Sequence, residues 1–135
     1  MKRAVSVSIG SSKRNKAVTV KLNGEEISIE RIGTDGDLKK AAQLFTEMDG
    51  TIDAFGMGGG DFGTEFAGKF FRYHNVAWIA DGAIKTPVVD GSGLRNTLEY
   101  RLANFIDKEI GDYINPKRVL LTAASARWGM TKGFM

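Results

Sequence analysis

Cysteine is absent from this chain of 135 residues. Its absence excludes disulfides, thiolate metal sites and cysteine nucleophiles. Histidine occurs once, as His74, so a zinc site built from histidines and cysteines would lack ligands. No apolar run approaches the roughly 20 residues that a membrane-spanning helix needs. We therefore expect a cytoplasmic protein with no membrane partner.

Neither sign of charge dominates the chain. Nineteen Lys and Arg residues against sixteen Asp and Glu residues give a net charge of +3, an imbalance too slight to predict a nucleic-acid partner. The basic residues cluster once, in SSKRNK (residues 11–16), where Lys13, Arg14 and Lys16 crowd a turn. This cluster is interpreted either as a solvated loop or as a patch that faces a phosphate.

Alternation of apolar and polar residues predicts three opening strands. Residues 5–9 alternate valine and isoleucine with serine, and two further alternating runs flank Asn23-Gly24. Asn-Gly between such runs is typical of a tight antiparallel hairpin. Helices and strands alternate after residue 33. The sequence therefore predicts an α/β fold, with a three-layer mixed sheet that starts with an antiparallel β-hairpin.

Capping residues, a turn glycine and the spacing of apolar residues predict the later helices and strands. Thr34 and Asp37 have the spacing of a capping box at the start of the first helix, and glycine at residue 68 favours a hairpin that turns at residues 67–68. A continuous apolar stripe predicts one helix from about Gly93 to Tyr113. The apolar run RVLLTAA (residues 118–124) predicts a last buried strand.

Glycines are dense in FGMGGGDFG (residues 55–63), which we call the glycine segment. It matches the pattern G-x-G-x-x-G, but that pattern binds a dinucleotide only where a helix follows at once, and TEFAGKFF does not predict one. Crevices form at the carboxyl ends of strands in open sheets. The candidate substrate-binding residues here are therefore Gly58, Gly59, Gly60 and Asp61, with a bent hairpin entry as the structural alternative.

A second corner lies in VVDGSGLRNTLE (residues 88–99), where a strand end, two glycines and a helix start follow one another. Unpaired N–H groups, a helix dipole and a carboxylate suit an anion or a hydroxyl-rich ligand. Asp90 is the candidate catalytic base or hydroxyl acceptor, and Ser92, Gly93 and Asn96 are candidate substrate-binding residues. Alternatively, Asp90 and Ser92 only cap and brace the turn. We expect this corner and the glycine segment to face one hollow.

Acidic residues also meet at the first helix start. Asp35 and Asp37 are spaced to bind Mg²⁺, but capping explains them better. No metal site is predicted, and the residues alone identify no cofactor.

Four blocks of sequence together resemble a known bacterial family. The blocks VSVSIGSSKR, ERIGTDGDLKKA, DAFGMGGGD and KTPVVDGSGLRNTLE look like proteins labelled quinate 5-dehydrogenase or shikimate/quinate dehydrogenase-like, over most of residues 3–130. The resemblance implies a substrate-type α/β domain at residues 1–117. Residues 118–135 would begin a second α/β domain, or a crossover into one, that the chain truncates. It also implies an oxidoreductase that binds NAD or NADP mainly through that second domain.

Two other functions remain open. One is a nucleotide- or phosphate-binding domain of the actin-like or sugar-kinase type, with SIGSSKRN (residues 8–15) as its first phosphate loop. The other is a non-catalytic binding module of unknown function. In each case the expected partner is a small-molecule or phosphate-bearing ligand. Apolar surface after Arg118 further predicts a homodimer.

Overall fold

The computed structural model describes residues 1–111, 114 and 117–135. They divide into two compact units. Unit 1 comprises Met1–Phe62 and Tyr73–Asp90, and unit 2 comprises Gly63–Arg72 and Gly91–Met135. The strands are β1 (Lys2–Ser8), β2 (Lys16–Leu22), β3 (Glu25–Gly33), β4 (Ala54–Gly58), β5 (Gly63–Phe66), β6 (Lys69–Arg72) and β7 (Val88–Val89). The α-helices are α1 (Leu38–Met48), α2 (Ser92–Thr97), α3 (Leu102–Ile110) and α4 (Trp128–Phe134).

Unit 1 contains a five-stranded mixed sheet in the order β2-β3-β1-β4-β7. Strands β3, β1, β4 and β7 run parallel, and β2 pairs antiparallel with β3. Asn23 (φ 51°) and Gly24 (φ 86°) form the turn between β2 and β3 with the positive φ angles that a tight hairpin needs. The predicted α/β fold class, with a mixed sheet that starts with an antiparallel hairpin, is confirmed.

The core of unit 1 lies on one face of this sheet. Val5 and Val7 of β1 alternate with serines, so both valines point to the face on which α1 packs. Phe45 of α1 meets Phe55 of β4 with ring centroids 4.9 Å apart. Burying each of these fully enclosed side chains stabilises the fold by about 2 to 3 kcal/mol. The sheet is therefore held against α1.

Helix α1 begins three residues later than a cap at Thr34 would require. Asp37 is the N-cap, and its carboxylate accepts a 2.9 Å hydrogen bond from the N–H of Lys40. Thr34 is buried, and its N–H and hydroxyl both donate to the carbonyl oxygen of Ser8, at 2.8 and 3.3 Å. The predicted capping box is wrong, because Thr34 joins the ends of β3 and β1 instead.

Unit 2 contains the hairpin of β5 and β6, which pair antiparallel. Ala67 (φ 49°) and Gly68 (φ 77°) form its turn, which confirms the predicted hairpin. Phe66 of β5 packs on Trp128 of α4, with ring centroids 4.6 Å apart.

The predicted single helix from Gly93 to Tyr113 is wrong in its described part. Helix α2 ends at Thr97, a 3-10 turn covers Glu99–Arg101, and α3 follows; Tyr113 lies outside the described residues. The hydroxyl of Thr97 donates to the carbonyl oxygen of Gly93 at 2.7 Å, a bond that often bends helices. Helix α4 packs closely against the 3-10 turn, since a Cβ on Gly133 would lie 2.2 Å from the carbonyl oxygen of Tyr100.

The predicted last strand at residues 118–124 is also wrong. No described residue of this stretch pairs with another strand, and Leu120 is 86% exposed. An apolar run forms a strand only where a neighbouring strand accepts its hydrogen bonds. The predicted domain boundary between residues 117 and 118 stays a prediction.

None of the helices in the described part of the chain has the length and apolar character that crossing a membrane demands.

Candidate functional site

The parallel strands of unit 1 end side by side. Ser8, the last residue of β1, is in register with Gly33 at the end of β3 and with Gly58 at the end of β4. The residues that directly follow β3 and β1 also bond to the neighbouring strands. The N–H of Thr34 donates to Ser8 O at 2.8 Å, and the N–H of Ile9 donates to Gly58 O at 2.9 Å. The segments that follow the strands therefore leave one edge together. We call it the carboxyl edge of unit 1.

The glycine segment approaches β1 closely at this edge. A Cβ on Gly58 would lie 2.7 Å from the Cβ and 2.9 Å from the Oγ of Ser8, and one on Gly59 (φ 73°) would lie 2.9 Å from Ile9 Cγ1. Both positions therefore require glycine for packing between strands. Strand β5, and no helix, follows the segment, so the helix N-terminus that a dinucleotide pattern needs is missing there.

Asp90 lies against the far end of the glycine segment. Its Oδ2 accepts a 2.9 Å hydrogen bond from the N–H of Phe62, and the carbonyl oxygen of Phe62 accepts one of 2.8 Å from the N–H of Tyr73. Gly60 and Asp61 lie between this bond and β4. The structure thus joins Asp90 to Phe62, which directly follows residues 58–61, and shows Asp90 bracing the backbone. Its role as a base stays a prediction, as do the ligand contacts of residues 58–61.

The turns after β1 and β3 are tied to each other. The N–H of Ser12 donates to Asp35 Oδ1 at 2.8 Å, and the N–H of Asp35 donates to Gly10 O at 3.1 Å. The hydroxyl and the N–H of Ser12 together hold the pKa of Asp35 below its ordinary value. Asp35, considered above as a Mg²⁺ ligand, serves here to hold the turn in place.

Arg31 is a site residue that the sequence reading missed. Its Nη2 donates to Ser8 Oγ at 2.9 Å, and its Nη1 donates to the carbonyl oxygen of Ser11 at 3.0 Å. The Nη2 atoms of Arg14 and Arg31 lie 2.7 and 3.2 Å from the point where a Cβ on Gly10 would lie. The sequence contains one indication of this position, because Arg31 follows Ile27 and Ile29 at a spacing of two residues and therefore lies on the same face of β3.

A family model described as a domain of unknown function (DUF8753) matches residues 3–90. The chain belongs to this family. The DUF8753 match covers unit 1 except Met1 and Lys2, together with the β5–β6 hairpin. No curated protein and no solved structure matches the chain.

The remaining candidate residues belong to unit 2 and lie beyond the DUF8753 match. Gly91 (φ 81°) is the N-cap of α2, so the prediction that Ser92 is the N-cap is wrong. Asn96 Nδ2 donates to Glu65 Oε2 at 3.4 Å, and no atom lies within 4 Å of where a Cβ on Gly93 would be. Ser92 and Asn96 line a cavity of about 10 Å³, which holds at most about one water. Their roles as substrate-binding residues stay predictions.

A larger cavity in unit 2, of about 460 Å³, lies between α3, residues 117–121 and α4. None of the predicted site residues lines it. We therefore place the candidate site at the carboxyl edge of unit 1.

Proposed function

We propose that unit 1 binds a small molecule at its carboxyl edge. The observation that carries this proposal is the bond from the N–H of Phe62 to the carboxylate of Asp90 at 2.9 Å. It joins the end of β7 to the glycine segment, beside the ends of β4 and β1. Ligands of open α/β sheets bind outside the carboxyl ends of strands.

The activity that the resemblance favours is a hydroxy-acid oxidoreductase of the quinate/shikimate dehydrogenase-like kind, with unit 1 on the substrate side. Asp90 would accept a hydrogen bond from a substrate hydroxyl. The glycine segment does not fit a pyrophosphate, because no helix begins after it. NAD or NADP would therefore bind outside residues 58–63.

The second candidate is a phosphate- or nucleotide-binding domain of the actin-like or sugar-kinase type. The turn at residues 9–15 favours it, because this turn leaves β1 at the carboxyl edge and carries Arg14. In this candidate the turn would bind the phosphates.

A thermal-shift assay separates the candidates. Wild-type protein is heated with quinate, with NAD⁺ or NADP⁺, and with ATP and Mg²⁺. Stabilisation by quinate supports the oxidoreductase, and stabilisation by ATP alone contradicts it. If none of these compounds shifts the melting temperature, the proposal of a small-molecule site loses its support.

Asp90→Asn tests the location of the site. The matched control is Asp53→Asn, because Asp53 also accepts a backbone hydrogen bond, from the N–H of Arg3 at 2.7 Å, but at the opposite edge of the sheet. We expect the ligand-induced shift to fall in Asp90→Asn and to persist in Asp53→Asn. Equal shifts in the two variants would place the ligand elsewhere.

A further inference from the structure

Three positively charged side chains share one corner of the carboxyl edge. Lys16 and Arg31 are directly opposite each other in the β2–β3 pair, so their side chains lie on one face of the sheet. Arg14 reaches the same corner from the turn after β1, since its Nη2 lies 2.7 Å from the position of a Cβ on Gly10. We call Arg14, Lys16 and Arg31 the basic corner.

None of the three side chains of the basic corner forms an ion pair in the part of the chain that the structure describes. Arg31 bonds there to neutral oxygens, those of Ser8, Ser11 and Asn15, and neither Arg14 nor Lys16 forms an ion pair. Like charges held this close repel each other. An anion at this corner would remove that repulsion.

Cations at the opposite edge of the same sheet form ion pairs with carboxylates of the chain. Lys2 pairs with Glu25 and Arg3 with Glu30, each with a nitrogen–oxygen distance of 2.9 Å. The sheet thus neutralises the cations at its amino edge with its own carboxylates, while the basic corner is left positive. This asymmetry is expected where the missing negative charge comes from a ligand.

Ser8 adds a hydrogen-bond donor. Its side chain is buried, at 3% exposure, and its Oγ accepts from Arg31 Nη2 at 2.9 Å and from the N–H of Gly10 at 3.2 Å. Two accepted bonds occupy both lone pairs of a hydroxyl, so its own proton is left to donate. Among the described residues, no acceptor receives that proton.

We propose that the basic corner binds a phosphate group. The guanidinium group of Arg14, the positive charge of Arg31 and the ammonium group of Lys16 match the charge and the several acceptor oxygens of a phosphate better than those of a single carboxylate. Because Gly10 has no side chain, the Nη2 atoms of Arg14 and Arg31 both approach its backbone closely. This inference rests on the proposed function in one respect, since the phosphate would belong to the ligand placed at the carboxyl edge.

The test is an NMR titration at low ionic strength, because salt screens exposed charges. Wild-type protein is titrated separately with inorganic phosphate, ATP, adenosine and quinate. We expect phosphate and ATP to shift the amide resonances of residues 8–15 and 31, and adenosine to leave them unchanged. The comparison of ATP with inorganic phosphate shows whether a free ion or a phosphoester is preferred.

Arg14→Gln is the main variant, because the Arg14 side chain is exposed and no described residue bonds to it, so the fold does not depend on it. Its matched control is Lys39→Gln, which removes one positive charge from the exposed surface of α1. We expect Arg14→Gln to weaken phosphate binding by at least about tenfold and Lys39→Gln to leave it unchanged. Arg31→Gln should weaken it as well, with circular dichroism to verify folding.

The outcomes distinguish the two proposals. If Arg14→Gln binds phosphate as well as wild type does, the proposed phosphate site at the basic corner is contradicted. If the protein binds quinate but not phosphate, the phosphate site is contradicted, and the proposed function is retained. Absence of binding by all four compounds contradicts both proposals.

Discussion

Gly56 and Gly58 lie two residues apart on the same face of β4 and differ in the space above them. A Cβ on Gly56 would lie 3.4 Å from the Cβ of Ser6, an ordinary contact, whereas one on Gly58 would lie 2.7 Å from the Cβ of Ser8. Ser8 cannot withdraw easily, because it is buried and bonds to Arg31. At the residue scale, the packing of β4 against the end of β1 thus depends on the absence of a side chain at Gly58.

Gly58→Ala should therefore destabilise unit 1 by about 1 to 3 kcal/mol, the usual cost of overpacking. The matched control, Gly56→Ala, should change stability by less than about 1 kcal/mol. Urea unfolding followed by circular dichroism measures both. Equal losses in the two variants would show that β1 and β4 move apart freely.

The lowered pKa of Asp49 predicts that the stability of the fold depends on pH. Removal from water raises the pKa of Asp49, but the N–H groups of Thr86, Lys85 and Ile84 outweigh this effect and hold the pKa below its ordinary value. The contribution of a carboxylate with a lowered folded-state pKa is present above its unfolded pKa, about 3.9, and is lost as the pH falls through the folded value. Asp49 therefore stabilises the fold near neutral pH and not in strong acid.

Asp49→Asn should lower the melting temperature at about pH 7, and the difference from wild type should shrink below about pH 4. Melting curves at a series of pH values measure this. Glu26→Gln, on exposed surface, removes the same charge and should show little difference at any pH. A constant difference for Asp49→Asn across the range would contradict the lowered pKa.

At the element scale, two residues near the start of α1 have different roles, although either could cap a helix. Asp37 caps the helix, and Thr34 donates to β1. Their spacing in the sequence predicts that they cap the helix together. Because Thr34 is bound to Ser8, only Asp37 accepts a hydrogen bond from the first turn of the helix.

Asp37→Ala should cost about 1 kcal/mol, because the N–H of Lys40 loses its acceptor. Asp37→Ser keeps a capping oxygen and should cost only a few tenths of that amount. Chemical unfolding of both variants measures the difference. Full stability of Asp37→Ala would mean that another group caps α1.

On the scale of the whole molecule, the DUF8753 match and the division into units nearly coincide. The match ends at residue 90, where unit 1 also ends. In unit 2 the predicted apolar stripe is largely exposed, with Leu94, Leu98, Phe105 and Ile110 each at least 60% accessible. Exposed apolar surface of this kind favours association, and the homodimer stays a prediction.

Multi-angle light scattering over a range of concentrations tests the homodimer. We expect a dimer fraction that rises with concentration and falls in Leu120→Lys, since Leu120 is 86% exposed in the segment after Arg118. Ile84→Lys is the control, because Ile84 is as exposed, at 85%, but belongs to unit 1. A monomer at every concentration would contradict the prediction.

The sequence alone determined the elements whose signals are local. Alternation placed β1, β2 and β3, and Asn23-Gly24 joined two of them, because positive φ angles suit these turn residues. Position along the chain also placed Asp90 and the glycine segment at strand ends. These features depend on neighbours within a few residues, which the sequence displays directly.

Tertiary structure alone decided the features that depend on distant partners. Residues 118–124 formed no strand because no strand pairs with them among the described residues. A 3-10 turn, against which α4 packs, interrupts the helix predicted from Gly93. The basic corner appeared only when β3 placed Arg31 beside Ser8, 23 positions earlier in the chain. Hydrogen bonds and charges act through space, so their partners emerge only once the strands have paired.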